Sequence, residues 1–266
     1  MLSKEDVLRI CDYSVNDDVY ELRHELAQFI DQTLLDPHSS IEQYKEWIDL
    51  NAHEGFASLC VPPAIVSFAA EKLKDSETKL CSVLNFPLGF GDVESVSMQA
   101  VKLIETGVDE LDMVMPYGAF IAGEYGYVQS YIEQVYAAAL HAWQDVSYRH
   151  NNASDSKEAT QALVFKVILE CSELSDKQIC IASDLISSVG VDFLKTSTGF
   201  SKSGANVHDV VLMSESKEPH CQIKASGGIR TLESLISFVH AGVTRIGCSK
   251  GREILLEFDE LFSDEI

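Results

Sequence analysis

The chain has 266 residues, 46% of them apolar and 23% charged, with 15 Gly and 6 Pro, which is enough for a large core and too balanced for a disordered or low-complexity chain. Its 20 Lys and Arg against 42 Asp and Glu leave a formal charge of −22, which argues against nucleic acid or an anionic membrane surface as partner. A single pocket can still differ in sign from the whole.

Residues 1–28 read as a helical N-terminal extension. Ser3 and Asp6 have the form of a capping box, and Val7, Leu8, Leu22 and Leu26 recur at helical spacing. No apolar signal-peptide run opens the chain, and the mostly apolar stretch 56–70 is cut by Pro62 and Pro63, so a cytoplasmic protein without a membrane span is expected. Short apolar runs then predict strands at 29–35, 56–61, 79–86, 110–115, 164–170, 192–198, 222–226 and 245–249. Helical patterns lie between them at 64–74, 96–107, 175–190 and 231–242, the last three ending in Gly107, Gly190 and Gly242. The long gap from Met115 to Glu170 holds a helical pattern around 127–143, and the polar run 147–161 predicts an exposed loop.

Eight strands alternating with helices predict an α/β fold, a (β/α)8 TIM barrel. A doubly wound open sheet is the alternative, but no G-x-G-x-x-G follows the first strand. No linker stands out, so 1–266 reads as one domain. Seven scattered cysteines without a C-x-x-C suggest reduced thiols, and eight histidines show no ligand spacing; neither a metal nor a cofactor is expected.

The placement of charge is more telling. Alternate residues of a barrel strand point inward. By that parity Asp112, Lys166, Lys195 and Lys224 converge from four consecutive strands, although a single lysine near a strand end is ordinarily solvated. Charges in a low-dielectric interior are costly unless paired. A lysine crowded by other cations and partly desolvated sheds its proton more readily, and the neutral amine can attack a carbonyl to form a Schiff base. Asp112 is the candidate proton shuttle. Glycine-bearing motifs end the last three strands: Thr196 to Gly199, Gly227-Gly228-Ile229-Arg230 and Gly247-Cys248-Ser249. Each alone fits a turn. Together, at the ends of strands six to eight, they favour a phosphate site built from backbone N–H groups.

In order along the chain, DQTLL, VLNFPLG, ELDMVMPYGAF, DFLKTSTGF and IKASGGIR resemble the deoxyribose-phosphate aldolase family, over about 29–251. The resemblance implies a metal-independent class I aldolase on a TIM barrel, interconverting 2-deoxy-D-ribose 5-phosphate with D-glyceraldehyde 3-phosphate and acetaldehyde. Lys195 matches the Schiff-base lysine, Lys224 the lysine that perturbs it, and Asp112 the aspartate of the proton relay. Asp31, Thr33 and Cys60 match residues near the site, and Lys166 a further lysine of the pocket. Thr198, Gly199, Gly227, Gly228, Gly247 and Ser249 match positions around the substrate and its phosphate. The resemblance further implies a small-molecule sugar phosphate as ligand and a homodimer as assembly. Three departures stand out, and the first is that the 147–161 loop is longer than usual for the family. Phe200 follows KTSTG where some members carry lysine, leaving Lys202 as the candidate replacement, and no tyrosine lies near the C-terminal Phe262-Ser263-Asp264-Glu265-Ile266. Two alternatives remain: a Schiff-base aldolase for a longer sugar phosphate, and a non-catalytic sugar-phosphate-binding barrel.

Overall fold

The computed structural model describes residues 3–11, 18–153 and 162–263. Eight parallel strands close into a barrel in sequence order: β1 (Ile30–Thr33), β2 (Ser58–Val61), β3 (Lys79–Leu84), β4 (Glu110–Val114), β5 (Val164–Ile168), β6 (Phe193–Lys195), β7 (Gln222–Ser226) and β8 (Arg245–Cys248). Helices fill the intervals: α3 (Ile41–Asn51), α4 (Val66–Leu73), α5 (Val93–Glu105), α6 (Tyr117–Ile121), α7 (Tyr125–Ala153), α8 (Asp176–Ser187), α9 (Val207–Ser216), α10 (Leu232–His240) and α11 (Gly251–Leu261). The fold is therefore a (β/α)8 TIM barrel, as the alternation predicts.

Ahead of β1, α1 (Lys4–Ile10) and α2 (Val19–Ala27) form the N-terminal extension. The capping box is present: Ser3 N donates to Asp6 Oδ2 at 3.0 Å and Asp6 N to Ser3 Oγ at 3.3 Å. Arg23 of α2 is tied to Asp259 of α11 at 2.8 Å, fastening the extension to the last helix of the ring.

Local chemistry stops and starts the helices as their sequences suggest. Asp92 accepts from Ser95 N at 2.9 Å, Asn206 from Asp209 N at 2.9 Å, and Thr231 from Ser234 N at 3.2 Å. At the other ends Gly107, Gly190 and Gly242 all take positive φ. The expected loop at 147–161 is corrected in its first part, because α7 continues to Ala153. Just before this run Trp143 and Val146 pack against the core, so the helix enters it with one face buried. Residues 154–161 lie outside the described residues.

Strand parity sorts the residues of the barrel. Outward-facing Leu59, Leu80, Leu111, Phe165, Leu194 and Ile223 are all buried under helices. Each contributes about 1.5–3 kcal/mol by leaving water. Following the register round the barrel places Asp31, Cys81, Lys166 and Lys224, from odd-numbered strands, at one height. One step toward the strand C-termini come Cys60, Asp112, Lys195 and Gly247, and one step below come Ser58, Glu110, Phe193 and Arg245. The interior is thus three layers of four, and most of its residues are polar or charged.

Candidate active site

Lys195 ends β6 and belongs to the uppermost of these layers. Its Nζ donates to Asp112 Oδ2 at 2.7 Å, and Lys224 Nζ donates to the same oxygen at 2.6 Å. The two nitrogens can therefore be no farther apart than those bonds laid end to end. Lys166 donates to the other oxygen, Asp112 Oδ1, at 2.9 Å and to Glu110 Oε2 at 2.5 Å. Asp31 Oδ2 receives Lys224 at 2.5 Å, while Asp31 Oδ1 accepts from Arg245 at 2.5 Å and from Ser58 Oγ at 2.7 Å. Arg245 also reaches Glu110 at 3.3 Å.

Charges this deep persist only because they compensate one another. Burial alone would raise the Asp112 carboxyl, but Lys166, Lys195 and Lys224 outweigh it and hold it well below the usual carboxylate range. Burial opposes ionisation of Asp31 as well, and Arg245, Lys224 and Lys166 again prevail. Lys166 and Lys224 show the mirror image. Burial disfavours their charge, yet Asp112, with Glu110 and Asp31 for Lys166 and Asp31 for Lys224, keeps both protonated above the ordinary lysine range. Lys166, Lys224 and Asp112 are wholly buried, whereas Lys195 keeps 3% of its surface exposed, at the floor of a cavity.

That cavity, about 360 Å³, opens at the C-terminal end of the barrel, where such folds gather their chemistry. Residues 33–37, 198–200, 226–230 and 247–249 form its walls. Thr33, Lys195, Thr198, Gly199, Gly227, Gly228, Gly247 and Ser249 line it as the sequence suggests, while Asp31, Cys60, Asp112, Lys166 and Lys224 lie beneath it in the barrel. Lys166 in particular lies one layer below Lys195 and is committed to Glu110 and Asp112, not to the pocket. The predicted strands 29–35 and 192–198 are shorter in the structure because Leu34, Leu35 and Thr198 leave the ladder to form the cavity wall.

The glycines make this convergence possible. A Cβ on Gly204 would fall 2.1 Å from Gly227 O, so the loops after β6 and β7 touch backbone to backbone. A Cβ on Gly247 would meet Ser226 Cβ at 2.9 Å and Lys224 Cε at 3.0 Å, so the missing side chain leaves room for the buried lysine.

Lys202 does not supply a charge to the cavity; it is 73% exposed and paired with Glu173 at 2.6 Å. Arg230, absent from the sequence-derived set, stands on the cavity rim, and Glu110 and Arg245 complete the buried network. Cys60 Sγ, Cys81 Sγ and an Asp112 oxygen lie within 4.8 Å of one another, a spacing that could suit a metal. Three lysines already occupy the Asp112 oxygens, and their charge opposes a cation there. The Cys60 thiol is pulled down by its hydrogen bond with Cys81, whereas burial pushes the Cys81 thiol up.

Comparison with known proteins agrees with this geometry. The family model described as DeoC/LacD family aldolase matches residues 25–257. A deoxyribose-phosphate aldolase of Caldicellulosiruptor saccharolyticus is 38% identical over 235 residues, covering 88% of this chain and 99% of the relative. Deoxyribose-phosphate aldolase 1 of Staphylococcus aureus is 39% identical over 228 residues, covering 86% and 94%. Among solved structures, the deoxyribose phosphate aldolase of Aeropyrum pernix, described as a unique tetramer, superposes with TM-score 0.76 at 28% identity, covering 98% of this chain and 100% of that one. With a charged barrel interior beneath a cavity at the strand C-termini, and with this extent of similarity, the chain belongs to the DeoC/LacD family of aldolases.

Proposed function

We propose that this aldolase reversibly cleaves 2-deoxy-D-ribose 5-phosphate to acetaldehyde and D-glyceraldehyde 3-phosphate through a Schiff base on Lys195. The observation that carries the reading is the position of Lys195: among the described residues it is the one lysine on the cavity wall, and its amine shares Asp112 Oδ2 with Lys224. Charge balance supports it. Lys166, Lys195, Lys224 and Arg245 face Asp31, Glu110 and Asp112, so the interior is neutral when one cation gives up its proton. Lys195 has one carboxylate partner and the only opening to the cavity. The names of the relatives point to the same substrate.

The Lys195 amine adds to C1 of the open-chain sugar, and loss of water with uptake of a proton gives an iminium. The C3 hydroxyl then loses its proton to water, the C2–C3 bond breaks, and its electrons form an enamine with C1 and the nitrogen. Glyceraldehyde 3-phosphate departs. Protonation of C2 and hydrolysis of the imine release acetaldehyde and regenerate the amine. Asp112, held ionised by three lysines, orients Lys195 throughout and offers the route by which protons pass between the amines and water. The phosphate is received by the glycine-bearing turns after β6, β7 and β8 and by Arg230 at the rim.

Borohydride added with 2-deoxyribose 5-phosphate should reduce the imine and leave a stable adduct on Lys195, located by mass spectrometry of peptides. Ketose phosphates should give none. The absence of an adduct on Lys195 would overturn the reading.

A further inference from the structure

β5 ends in a conformation that few side chains adopt. Glu170 has φ 56° and ψ 59°, in the left-handed region. Among the described residues the only other non-glycine residue at positive φ is Asn85, a type that tolerates it. Such strain persists where the surroundings over-determine it, and it clusters at functional sites.

Glu170 is 1% exposed, and its carboxylate is spent on one residue. Thr198 N donates to Oε1 at 3.4 Å and to Oε2 at 3.3 Å, and the Thr198 hydroxyl donates a short hydrogen bond to Oε2. Thr198 Oγ1 in turn accepts from Phe200 N at 3.0 Å. The backbone joins the same two loops, with Cys171 N donating to Thr196 O at 2.9 Å. A buried carboxylate, a hydroxyl and a backbone N–H thus form one chain that fixes the 198–200 turn, and this turn is a wall of the cavity. The left-handed residue is the one whose carboxylate reaches Thr198.

We propose that Glu170 is a positioning residue of the aldolase, holding the turn at 198–200 in the form that receives the substrate's phosphate; this rests on the function proposed above. Glu170 touches no reacting atom, and it acts through Thr198. A residue needed only for folding would behave otherwise, because glycine relieves the left-handed strain while removing the carboxylate.

The test compares E170G and E170Q with the wild type on 2-deoxyribose 5-phosphate and on unphosphorylated 2-deoxyribose. E170G should melt no lower than the wild type. Its preference for the phosphorylated substrate, the ratio of the two kcat/KM values, should fall about ten-fold or more, chiefly through KM, as expected for hydrogen bonds to a charged group. E170Q keeps an acceptor for Thr198 and should recover most of that preference. An equal loss on both substrates, or no loss on either, overturns the proposal. Borohydride trapping on wild-type Lys195 separates the two levels: an adduct with an unaltered preference in E170G removes only the role of Glu170, whereas no adduct removes the underlying reading as well.

Discussion

At the scale of single residues, the site depends on one carboxylate oxygen shared by two lysines. Replacing Lys224 by leucine removes the cation that faces Lys195 across Asp112. The acid limb of the kcat/KM profile should move to higher pH by about one unit or more. A profile that stays in place would show that Lys224 does not tune the amine. The network itself does not confuse this measurement. Asp31 and Asp112 have depressed folded values, so their stabilisation is complete above the unfolded carboxylate range near pH ~4 and is lost only as pH falls through those depressed values. Lys166 and Lys224 are raised, so theirs is complete below the unfolded value near ~10.4 and is lost only as pH rises beyond it. Between those limits a change of rate reports chemistry, not unfolding. Strand parity alone makes Asp112, Lys166, Lys195 and Lys224 legible in the sequence, since a charge set among residues that must be buried has to find its counter-charge inside the barrel. Arg245 and Glu170 are not legible in this way. Arg245 opens its strand, where a charge ordinarily meets solvent, and Glu170 owes its role to a backbone conformation that no residue pattern encodes.

At the scale of elements, the ends of the strands are held by their neighbours. Asp192, just before β6, accepts from Phe165 N of β5 at 2.7 Å, and Asp109, just before β4, accepts from Leu80 N of β3 at 2.8 Å. Burial raises both carboxyls, and these backbone bonds partly offset it. Asp192→Ala should destabilise the chain by about 1–3 kcal/mol, because the Phe165 N–H loses its side-chain partner. Denaturant unfolding checks this, and a midpoint unchanged from the wild type would rule it out. The strand order and most helix starts follow from apolar runs and capping residues, which act locally. The run at 147–153 reads as a loop because its polar residues resemble turn formers, whereas the helix begun at Tyr125 continues through them. The upper strand ends blur for the opposite reason: Leu34 and Leu35 continue an apolar run in sequence while leaving the sheet in space.

At the scale of the whole molecule, the acidic surface and the Arg230 guanidinium at the cavity rim act on the substrate in opposite senses. A net charge of −22 repels a sugar phosphate at long range, whereas Arg230 attracts it at the cavity rim. Salt weakens the first more than the second, since exposed charges farther apart than about 8 Å are largely screened at physiological ionic strength. Raising salt from low to physiological strength should therefore increase kcat/KM for 2-deoxyribose 5-phosphate about two-fold, with unphosphorylated 2-deoxyribose as the indifferent control. A steady decline with salt would mean that attraction at the cavity governs encounter.

The shared use of Asp112 also decides how mutations there must be interpreted. It is at once the partner of the Lys195 amine and the counter-ion of two lysines sealed inside the barrel. Losing it leaves Lys166 with Glu110 and Lys224 with Asp31, so that the buried cations outnumber the carboxylates further, and breaking a buried pair costs about 3–5 kcal/mol. Inactivity after Asp112→Ala is thus no measure of proton transfer, since the same change withdraws the keystone of the interior. Under the proposed mechanism, catalysis and structural integrity are epistatic at one carboxylate, that of Asp112. A change at Asp112 itself is tolerated only alongside changes that restore the charge balance of the interior.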